Sequence, residues 1–260
     1  MGRSLGLTKY KTICVSDLHL GSKDCKSLLL LDFLKNNTCE NLFLVGDIID
    51  GWKIQQKKWK WDQTHTNVIR KILSYAKKGT NVNYIIGNHD EFLRAVITHD
   101  LAFGMIKIHN TFEYQGINGK KYLIVHGDLF DGILKYHKWI SYLGDYLYEF
   151  ILWLNTHFNT IRRKCGFGYW SLSKYLKLSV KKAVIYIVNF ENNMIDYCKR
   201  KGYDGVICGH IHHAEIKNVD GIQYMNDGDF VESCTALVED YEGNWKIITW
   251  NTIDENSNSN

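Results

Sequence analysis

Five short polar blocks decide the fold of this chain: Asp17-Leu18-His19, Gly46-Asp47, Gly87-Asn88-His89-Asp90, Val125-His126-Gly127-Asp128 and Gly209-His210-Ile211-His212. Each block follows an apolar run rich in β-forming residues, namely Thr12–Ser16, Asn41–Val45, Val82–Ile86, Tyr122–Val125 and Val206–Cys208. Runs of this length and composition predict buried strands. Because ligands bind at the carboxyl ends of strands in α/β sheets, the blocks predict a binding site at one sheet edge.

The blocks contain seven side chains with oxygen or imidazole donors: Asp17, His19, Asp47, Asn88, His126, His210 and His212. A lone His or Asp is more often structural, but seven in this arrangement predict a metal centre. Such mixed donors suit a pair of divalent cations, which can clamp a phosphoryl group and activate water. Asp17 and His19 are expected to converge because residues two apart on a strand end share a face, and His210 and His212 likewise.

The composition is that of a globular protein with one sizeable core. The chain has 260 residues, of which 45% are hydrophobic and 23% charged. Seven scattered cysteines without a CxxC pair predict reduced thiols. Met1–Lys11 has no signal-peptide core, and no apolar run approaches the ~18 residues of a spanning helix. We expect a cytoplasmic protein that is soluble or rests on a membrane surface.

The order of strand and helix patterns predicts an α/β (α+β) fold with two facing mixed β-sheets flanked by helices. Leu28–Lys35 and Thr64–Lys78 have helical apolar spacing between the first three strands. Asn118-Gly119, Asp220-Gly221 and Glu242-Gly243 predict hairpin turns. The chain is expected to form one domain, 1–253, with a disordered polar tail, 254–260.

The stretch at about 132–202 has helical patterns and no strand signal. It is dense in large aromatic residues, and Phe150–Leu154 is apolar on all sides of a helix. Packing in the core would account for most of these residues. Since the stretch joins both sides of the metal-ligand edge, we interpret it as a helical cap insertion.

The series DxH, GD, GNHD, HGD and GHxH resembles the calcineurin-like metallophosphoesterase superfamily over about residues 10–250. Further stretches are similar to the bacterial UDP-2,3-diacylglucosamine diphosphatase group: Asp17–Ser22, Gly46–Trp52, the HGDLFD run from His126, Cys208–Glu215 and Asn226–Ser233. The narrower resemblance implies hydrolysis of a diphosphate in UDP-2,3-diacylglucosamine or a similar lipid-linked nucleotide, giving UMP and a lipid phosphate. It also implies contact with the cytoplasmic face of the inner membrane.

The resemblance divides the seven donors between two cations. Asp17, His19, Asp47 and His212 would hold one, and Asp47, Asn88, His126 and His210 the other, with Asp47 bridging. Mn is the metal implied, while the donors also permit Fe, Zn or Co.

Two further residues of the GNHD block are predicted to act in catalysis. His89 can stabilise charge on the phosphoryl oxygens or protonate the leaving oxygen. Asp90 can fix the tautomer of His89 through a hydrogen bond.

Substrate binding is assigned to the cap. In the resembling diphosphatases the insertion covers the acyl chains, which implies apolar contacts from Trp139, Tyr146, Phe150 and Trp153. The cationic residues Arg162, Arg163, Lys181 and Lys182 are candidates for binding phosphate or a membrane surface.

One residue departs from the narrower pattern, because the diphosphatases have Arg where this chain has His89. Retention of a His permits a poorer, alkoxide leaving group, so a phosphodiesterase or nuclease acting on nucleotides stays open as the alternative. Basic clusters such as Arg162-Arg163-Lys164 allow a nucleic-acid partner, but the chain has no RNA-binding signature. A scaffold without activity ranks last, since none of the seven donors is missing.

Overall fold

The structure is a computed structural model that describes residues 7–95, 102–131 and 172–252, with the backbone alone at 102–103 and 172–184. The first half contains β1 (Thr8–Val15), α1 (Ser27–Asn36), β2 (Asn37–Val45), α2 (Gly51–Gln55), α3 (Gln63–Lys77), β3 (Asn81–Ile85), β4 (Ala102–Phe103), β5 (Ile106–His109), β6 (Thr111–Gln115) and β7 (Lys121–Val125). The second half contains α4 (Leu172–Lys201), β8 (Gly205–Cys208), β9 (Glu215–Val219), β10 (Ile222–Asn226), β11 (Thr235–Glu239) and β12 (Trp245–Thr249).

The strands form two mixed sheets, as predicted. The first has seven strands in the order β12-β11-β1-β2-β3-β5-β4, with β1, β2, β3 and β5 parallel. The second has five strands in the order β6-β7-β8-β10-β9, with β7, β8 and β10 parallel. Five parallel strands, β1, β2, β3, β7 and β8, are those that precede the polar blocks.

The two sheets face each other across an apolar core. Phe43 and Leu237 of the first sheet pack with Tyr122, Ile124 and Met225 of the second, and all five are fully buried or nearly so. Burial of such side chains contributes roughly 1.5–3 kcal/mol each. The sandwich therefore fixes where the carboxyl ends of the strands lie.

A second apolar core covers the outer face of the first sheet, where α1 and α3 pack. Helix α3 buries Val68, Ile72 and Tyr75, which recur at helical spacing. It begins at a capping box, in which Asp62 accepts from the backbone N–H of His65 and the His65 ring accepts from that of Asp62. The cap explains why this helix starts at Gln63, one residue before the predicted Thr64.

The three predicted hairpin turns are present. Gly119, Gly221 and Gly243 have φ values of 77°, 84° and 81°, in the left-handed region that glycine adopts without strain. They connect β6 to β7, β9 to β10 and β11 to β12, each pair antiparallel.

The chain divides into two compact units, Met1–Asp128 with Met194–Asn260, and Leu129–Asn193. In the second unit, Tyr186 donates a hydrogen bond to Asp131 at 2.8 Å, and Asn193 donates to the Phe130 carbonyl at 3.3 Å. Most of the predicted cap and the whole predicted tail, 254–260, lie outside the described residues, so both stay predictions. In the part of the chain that the structure describes, no helix is long and apolar enough to cross a membrane.

A buried carboxylate joins the two sheets. Glu239 of β11 accepts hydrogen bonds from the Tyr114 hydroxyl of β6, from Thr12 Oγ1 at 3.1 Å and from the Ile117 backbone N–H at 3.0 Å. Its side chain is buried. These bonds connect the second sheet and its first turn to the first sheet.

We expect Glu239→Ala to lower the free energy of unfolding by on the order of 3 kcal/mol, because it removes the acceptor of two buried hydroxyls, those of Thr12 and Tyr114, and of the Ile117 N–H. Glu242→Ala, at an exposed position of the β11–β12 turn, is the control and should change it by less than about 0.5 kcal/mol. Urea denaturation measures both. Equal losses would contradict the role given to Glu239.

Candidate metal centre

The seven predicted donors follow five strand ends, and the structure brings their side chains together. Asp17 and His19 follow β1, Asp47 follows β2 and Asn88 follows β3, all in the first sheet. His126 follows β7, and His210 and His212 follow β8, in the second sheet. The centre therefore lies where the carboxyl ends of both sheets meet, as the sequence predicts.

Three groups of side chains have donor atoms within 4.8 Å of one another: Asp17 with His19 and His212, Asp47 with His126 and His210, and His19 with Asp47 and His89. The first two together contain six of the seven predicted donors, and their division between two cations stays a prediction. The third shows that His89 also lies within reach of the same position. Asn88 Oδ1 is 3.2 Å from His126 Nε2, which places it beside the second group.

Asp47 lies between the groups. Its Oδ2 is 3.4 Å from His126 Nε2, 3.9 Å from His19 Nε2 and 3.8 Å from His89 Nε2. In the first group, Asp17 Oδ1 is 3.2 Å from His212 Nε2 and 3.8 Å from His19 Nε2. Asp47 thus lies near histidines of more than one group, while its role as a bridging ligand stays a prediction.

The backbone at the donors is strained. Asp17, His19, Asp47, His210 and His212 have φ values of 50°, 48°, 54°, 73° and 52°, which non-glycine residues rarely adopt. Such strain costs of order 1–3 kcal/mol per residue and clusters at functional sites.

The structure differs from the expectation that each pair of donors converges on the face of a strand end. Asp17 and His19 are not on a strand face, because β1 ends at Val15. They lie in the loop after β1, where both have left-handed backbone, and His210 and His212 have the same conformation in the loop after β8.

Three glycines allow the loops to approach one another. A Cβ at Gly46 would overlap the His126 ring, one at Gly87 would overlap the Asp47 carboxylate, and one at Gly209 would overlap the side chains of Ser16 and Asp17. The glycines of the GD, GNHD and GHxH blocks are thus required by close packing against donors from other blocks.

Hydrogen bonds orient the imidazole rings. His126 Nδ1 is 2.8 Å from the Val45 carbonyl and must donate to it, so Nε2 is the ring nitrogen that faces Asp47. His89 Nδ1 is 3.0 Å from Asp50 Oδ1. The His89 ring is also stacked on Trp52, with centroids 3.8 Å apart and a 29° interplanar angle, and meets the His19 ring edge-on at 4.5 Å. These contacts aim His89 Nε2 at the centre.

The prediction that Asp90 forms a hydrogen bond with the His89 ring is wrong, because Asp50 is the carboxylate that contacts this ring. The Asp90 carboxylate instead accepts from the backbone N–H groups of Ile49 at 2.8 Å, Ile48 at 3.1 Å and Gly87 at 3.4 Å. It ties the GD loop to the GNHD loop. Backbone geometry of this kind cannot be read from spacing along the chain.

Two supporting residues were also missed, although Asp227 lies in the Asn226–Ser233 stretch noted for its resemblance. Ser16 Oγ is 2.5 Å from Asp17 Oδ2 and 2.6 Å from Asp227 Oδ1. Asp17 Oδ2 also accepts the backbone N–H of His210 at 2.8 Å. Burial raises the pKa of Asp227 well above its usual range, which keeps another negative charge out of the cluster.

The donors fit divalent cations. Asp17 Oδ1 is fully buried and lies 3.2 Å from His212 Nε2. Burial works to raise the pKa of Asp17, but the charges of His126 and His212 outweigh it and lower the pKa to about 2. The same balance, led by His126, holds the pKa of Asp47 well below its usual range. Buried, ionised carboxylates that face only imidazoles are where a cation would bind.

The pKa values of the neighbouring histidines shift in the opposite direction, upward. Burial favours the neutral ring of His212, but Asp17 outweighs it and raises the pKa to about 9. The nearby carboxylates also raise the pKa of His126 and His19 against the effect of burial. Protons on these rings therefore compete with a metal ion for the ring nitrogens beside the carboxylates.

The substrate-binding residues predicted in the cap are not placed by this structure. Trp139, Tyr146, Phe150, Trp153, Arg162 and Arg163 lie outside the described residues. Lys181 and Lys182 lie in α4, where only the backbone is described. Their roles stay predictions.

Comparison with known proteins agrees with this geometry. Residues 10–214 match the model of a protein family described as calcineurin-like phosphoesterase. No curated protein matches the chain.

Solved structures with a similar fold include hypothetical protein PH1004 from Pyrococcus horikoshii OT3, which is 11% identical with a TM-score of 0.50 over 96% of this chain and 90% of that one. An archaeal phosphodiesterase is 14% identical, with a TM-score of 0.41 over 92% and 98% of the two chains. The E. coli phosphoesterase Yfce is 12% identical, with a TM-score of 0.41 over 92% and 99%. At these identities the likeness concerns the fold alone.

We expect Asp47→Ala to lower the amount of bound metal, because the change removes the carboxylate that the donor groups share. His213→Ala is the matched control, since His213 is exposed and adjacent to His212. Metal content after dialysis, measured by inductively coupled plasma mass spectrometry, should fall only in the first variant. The ligand assignment is wrong if both variants retain the same metal.

Binding of a divalent cation should release protons at pH 7. The pKa of His212 is raised to about 9, so its ring is protonated at pH 7 and must lose that proton to become a ligand. The apparent affinity should weaken by about tenfold per pH unit below 9 for each proton displaced. Calorimetry with Mn²⁺ in buffers of different ionisation enthalpy measures the number of protons, and a value of zero would contradict the electrostatic balance.

Proposed function

This chain belongs to the calcineurin-like phosphoesterase family, and we propose that it hydrolyses a diphosphate or phosphodiester bond in a lipid-linked nucleotide. The family makes it a metal-dependent hydrolase. The observation that carries the proposal is the convergence of donors from five strand ends into buried groups around Asp47. A scaffold without activity would not need to keep seven donors, five of them in strained backbone.

The proposed centre holds two divalent cations. Asp17, His19, Asp47 and His212 would hold one, and Asp47, Asn88, His126 and His210 the other. When bound, such a pair supplies activated water and neutralises charge on the phosphoryl oxygens. Mn is the metal proposed, with Fe, Zn and Co as alternatives that the same donors accept.

His89 is proposed as the residue that contacts the phosphoryl group or its leaving oxygen. Its Nδ1 contacts the Asp50 carboxylate, so Nε2 is the ring nitrogen that faces the substrate and would donate a hydrogen bond to it. Stacking on Trp52 limits rotation of the ring. A fixed donor at a developing charge typically contributes 10²–10⁴-fold in rate.

The lipid-linked nucleotide is the finer part of the proposal. It is supported by the stretches that resemble UDP-2,3-diacylglucosamine diphosphatases and by the aromatic content of 132–202. UDP-2,3-diacylglucosamine or a close relative would give UMP and a lipid phosphate, on the cytoplasmic face of the inner membrane. His89 in place of the diphosphatases' Arg favours the second candidate, a phosphodiesterase with broader nucleotide substrates.

Product analysis tests this choice. The metal-loaded protein is incubated with UDP-sugars, UDP-acylsugars and short single-stranded DNA, and the products are identified by mass spectrometry. UMP from the acylated sugars alone supports the lipid-linked substrate. Equal hydrolysis of acylated and unacylated sugars makes the broader phosphodiesterase the better description.

We expect His89→Ala to retain the bound metal and to lower the turnover rate by about 10²–10⁴-fold. The loss should be smaller for substrates with acidic leaving groups, because these need no proton from the enzyme. Rates for a series of aryl phosphodiesters and metal content together measure this. Because His89 lies within ligand distance of His19 and Asp47, a fall in metal content would make it a ligand instead.

We expect replacement of Phe150 and Trp153 by Ser to raise the KM for long-chain substrates and to spare a small chromogenic diester. Each methylene removed from water contributes about 0.8 kcal/mol, so the effect should grow with chain length. The measurement is KM against acyl length. If both activities are lost together with thermal stability, the two residues are structural.

A further inference from the structure

We propose that a cavity beside the metal-ligand loop binds the planar base of a nucleotide. The cavity has a volume of about 560 Å³ and is lined by Ser22, Lys23, Trp59, Lys60, Trp61 and His65, among others. We name it the indole cavity. The inference rests on the proposed function, because a base-binding site has a use only if the substrate is a nucleotide.

The indole cavity presents a fixed aromatic surface. The rings of Trp59 and Trp61 are nearly parallel, with centroids 5.1 Å apart and an interplanar angle of 10°. Trp61 is held by a hydrogen bond from its Nε1 to Thr66 Oγ1 at 2.9 Å, yet 37% of the residue is exposed. An indole fixed in position with part of its ring open is a platform on which a base can stack.

The indole cavity is built on the same loop as the metal centre. The backbone N–H of Ser22 donates to the His19 carbonyl at 2.9 Å, and that of Lys60 donates to the Gly21 carbonyl at 2.8 Å. Gly21 has a φ of 98°, and a Cβ there would overlap the Trp59 ring. The chain around Trp59 thus packs directly on the loop that carries Asp17 and His19.

The polar side chains that line the indole cavity are those of Ser22, Lys23, Lys60, His65 and Asp62. The Asp62 carboxylate already accepts the backbone N–H groups of Thr64 and His65. Lys23 and Lys60 are exposed cations that can pair with phosphate. The buried ring of His65 accepts the Asp62 backbone N–H at Nδ1, at 3.3 Å, so the proton of the neutral ring lies on Nε2. Burial lowers the pKa of His65, which keeps the ring neutral at pH 7. His65 thus contributes a neutral ring with one N–H, at Nε2, to the lining of the cavity.

The size of the indole cavity and the contacts of its two indole rings favour a small ligand over a membrane surface. The volume falls within the ~300–1,000 Å³ range of small-molecule sites. Alternating Lys and Trp residues are also common where proteins touch membranes. However, Trp59 packs on Gly21 and Trp61 is hydrogen-bonded to Thr66, so both rings are held against the chain as part of the cavity lining.

The test compares ligands that differ only by a base. Isothermal titration calorimetry of the full-length, metal-loaded protein with UMP, AMP and ribose 5-phosphate measures the contribution of the base. We expect the nucleotides to bind about 5- to 160-fold more tightly than ribose 5-phosphate, the fold-change that corresponds to stacking of one base. Trp61→Ala should abolish this difference, and Trp61→Phe should retain most of it.

Tyr241→Ala is the matched control, since Tyr241 is an exposed aromatic residue on the β11–β12 turn. It should leave the ratio between UMP and ribose 5-phosphate unchanged. Lys60→Ala, a second variant at an exposed position, should weaken both ligands alike. A ratio that Trp61→Ala leaves unchanged overturns the proposal.

Binding to lipid vesicles distinguishes a nucleotide site from a membrane contact. If Trp61→Ala reduces sedimentation with phosphatidylglycerol vesicles while the nucleotide ratio is unchanged, the indole cavity is a membrane contact and the proposal is wrong. Hydrolysis without base discrimination would overturn the base site alone and leave the proposed function standing. Base discrimination without hydrolysis of any phosphoester would overturn the proposed function alone.

Discussion

The burial of five aspartates at one edge of the two sheets is the constraint on which the rest of the structure depends. Asp17, Asp47, Asp50, Asp90 and Asp227 are at most 2% exposed. Isolated charges in such a position would be costly, so each carboxylate must be paired, hydrogen-bonded or protonated. The loops, glycines and histidines around the centre are arranged to meet that requirement.

The five carboxylates meet it in two ways. Asp17, Asp47 and Asp50 face histidines, whose charges outweigh the effect of burial and lower their pKa values. Asp90 and Asp227 are instead held by backbone N–H groups or a serine, and burial raises their pKa, to about 7 for Asp90. Asp17, Asp47 and Asp50 therefore stay negatively charged and attract cations. Asp90 and Asp227 hold the loops in place through hydrogen bonds and carry less negative charge.

The sequence was sufficient to predict the sheets and the donors, because each depends on local pattern. Apolar runs ending in Asp, Asn or His mark strand ends such as Val45 and Val125, and the order of the runs predicts two sheets. The role of Asp50 could not be predicted in the same way. Its contact with His89 joins residues 39 positions apart through loop geometry, and spacing alone does not distinguish it from Asp90. The cap residues stay predictions because they lie outside the described residues.

The strained donor loops have a physical consequence for metal binding. Backbone hydrogen bonds hold them in place: Asp17 N–H donates to the Gly46 carbonyl at 3.0 Å and His19 N–H to the Asp47 carbonyl at 2.9 Å. These hydrogen bonds help to offset the strain at these residues and hold the donors in fixed positions. The same rigidity limits the centre to ligands whose size fits the existing distances, which is how a preformed site selects among cations of similar charge.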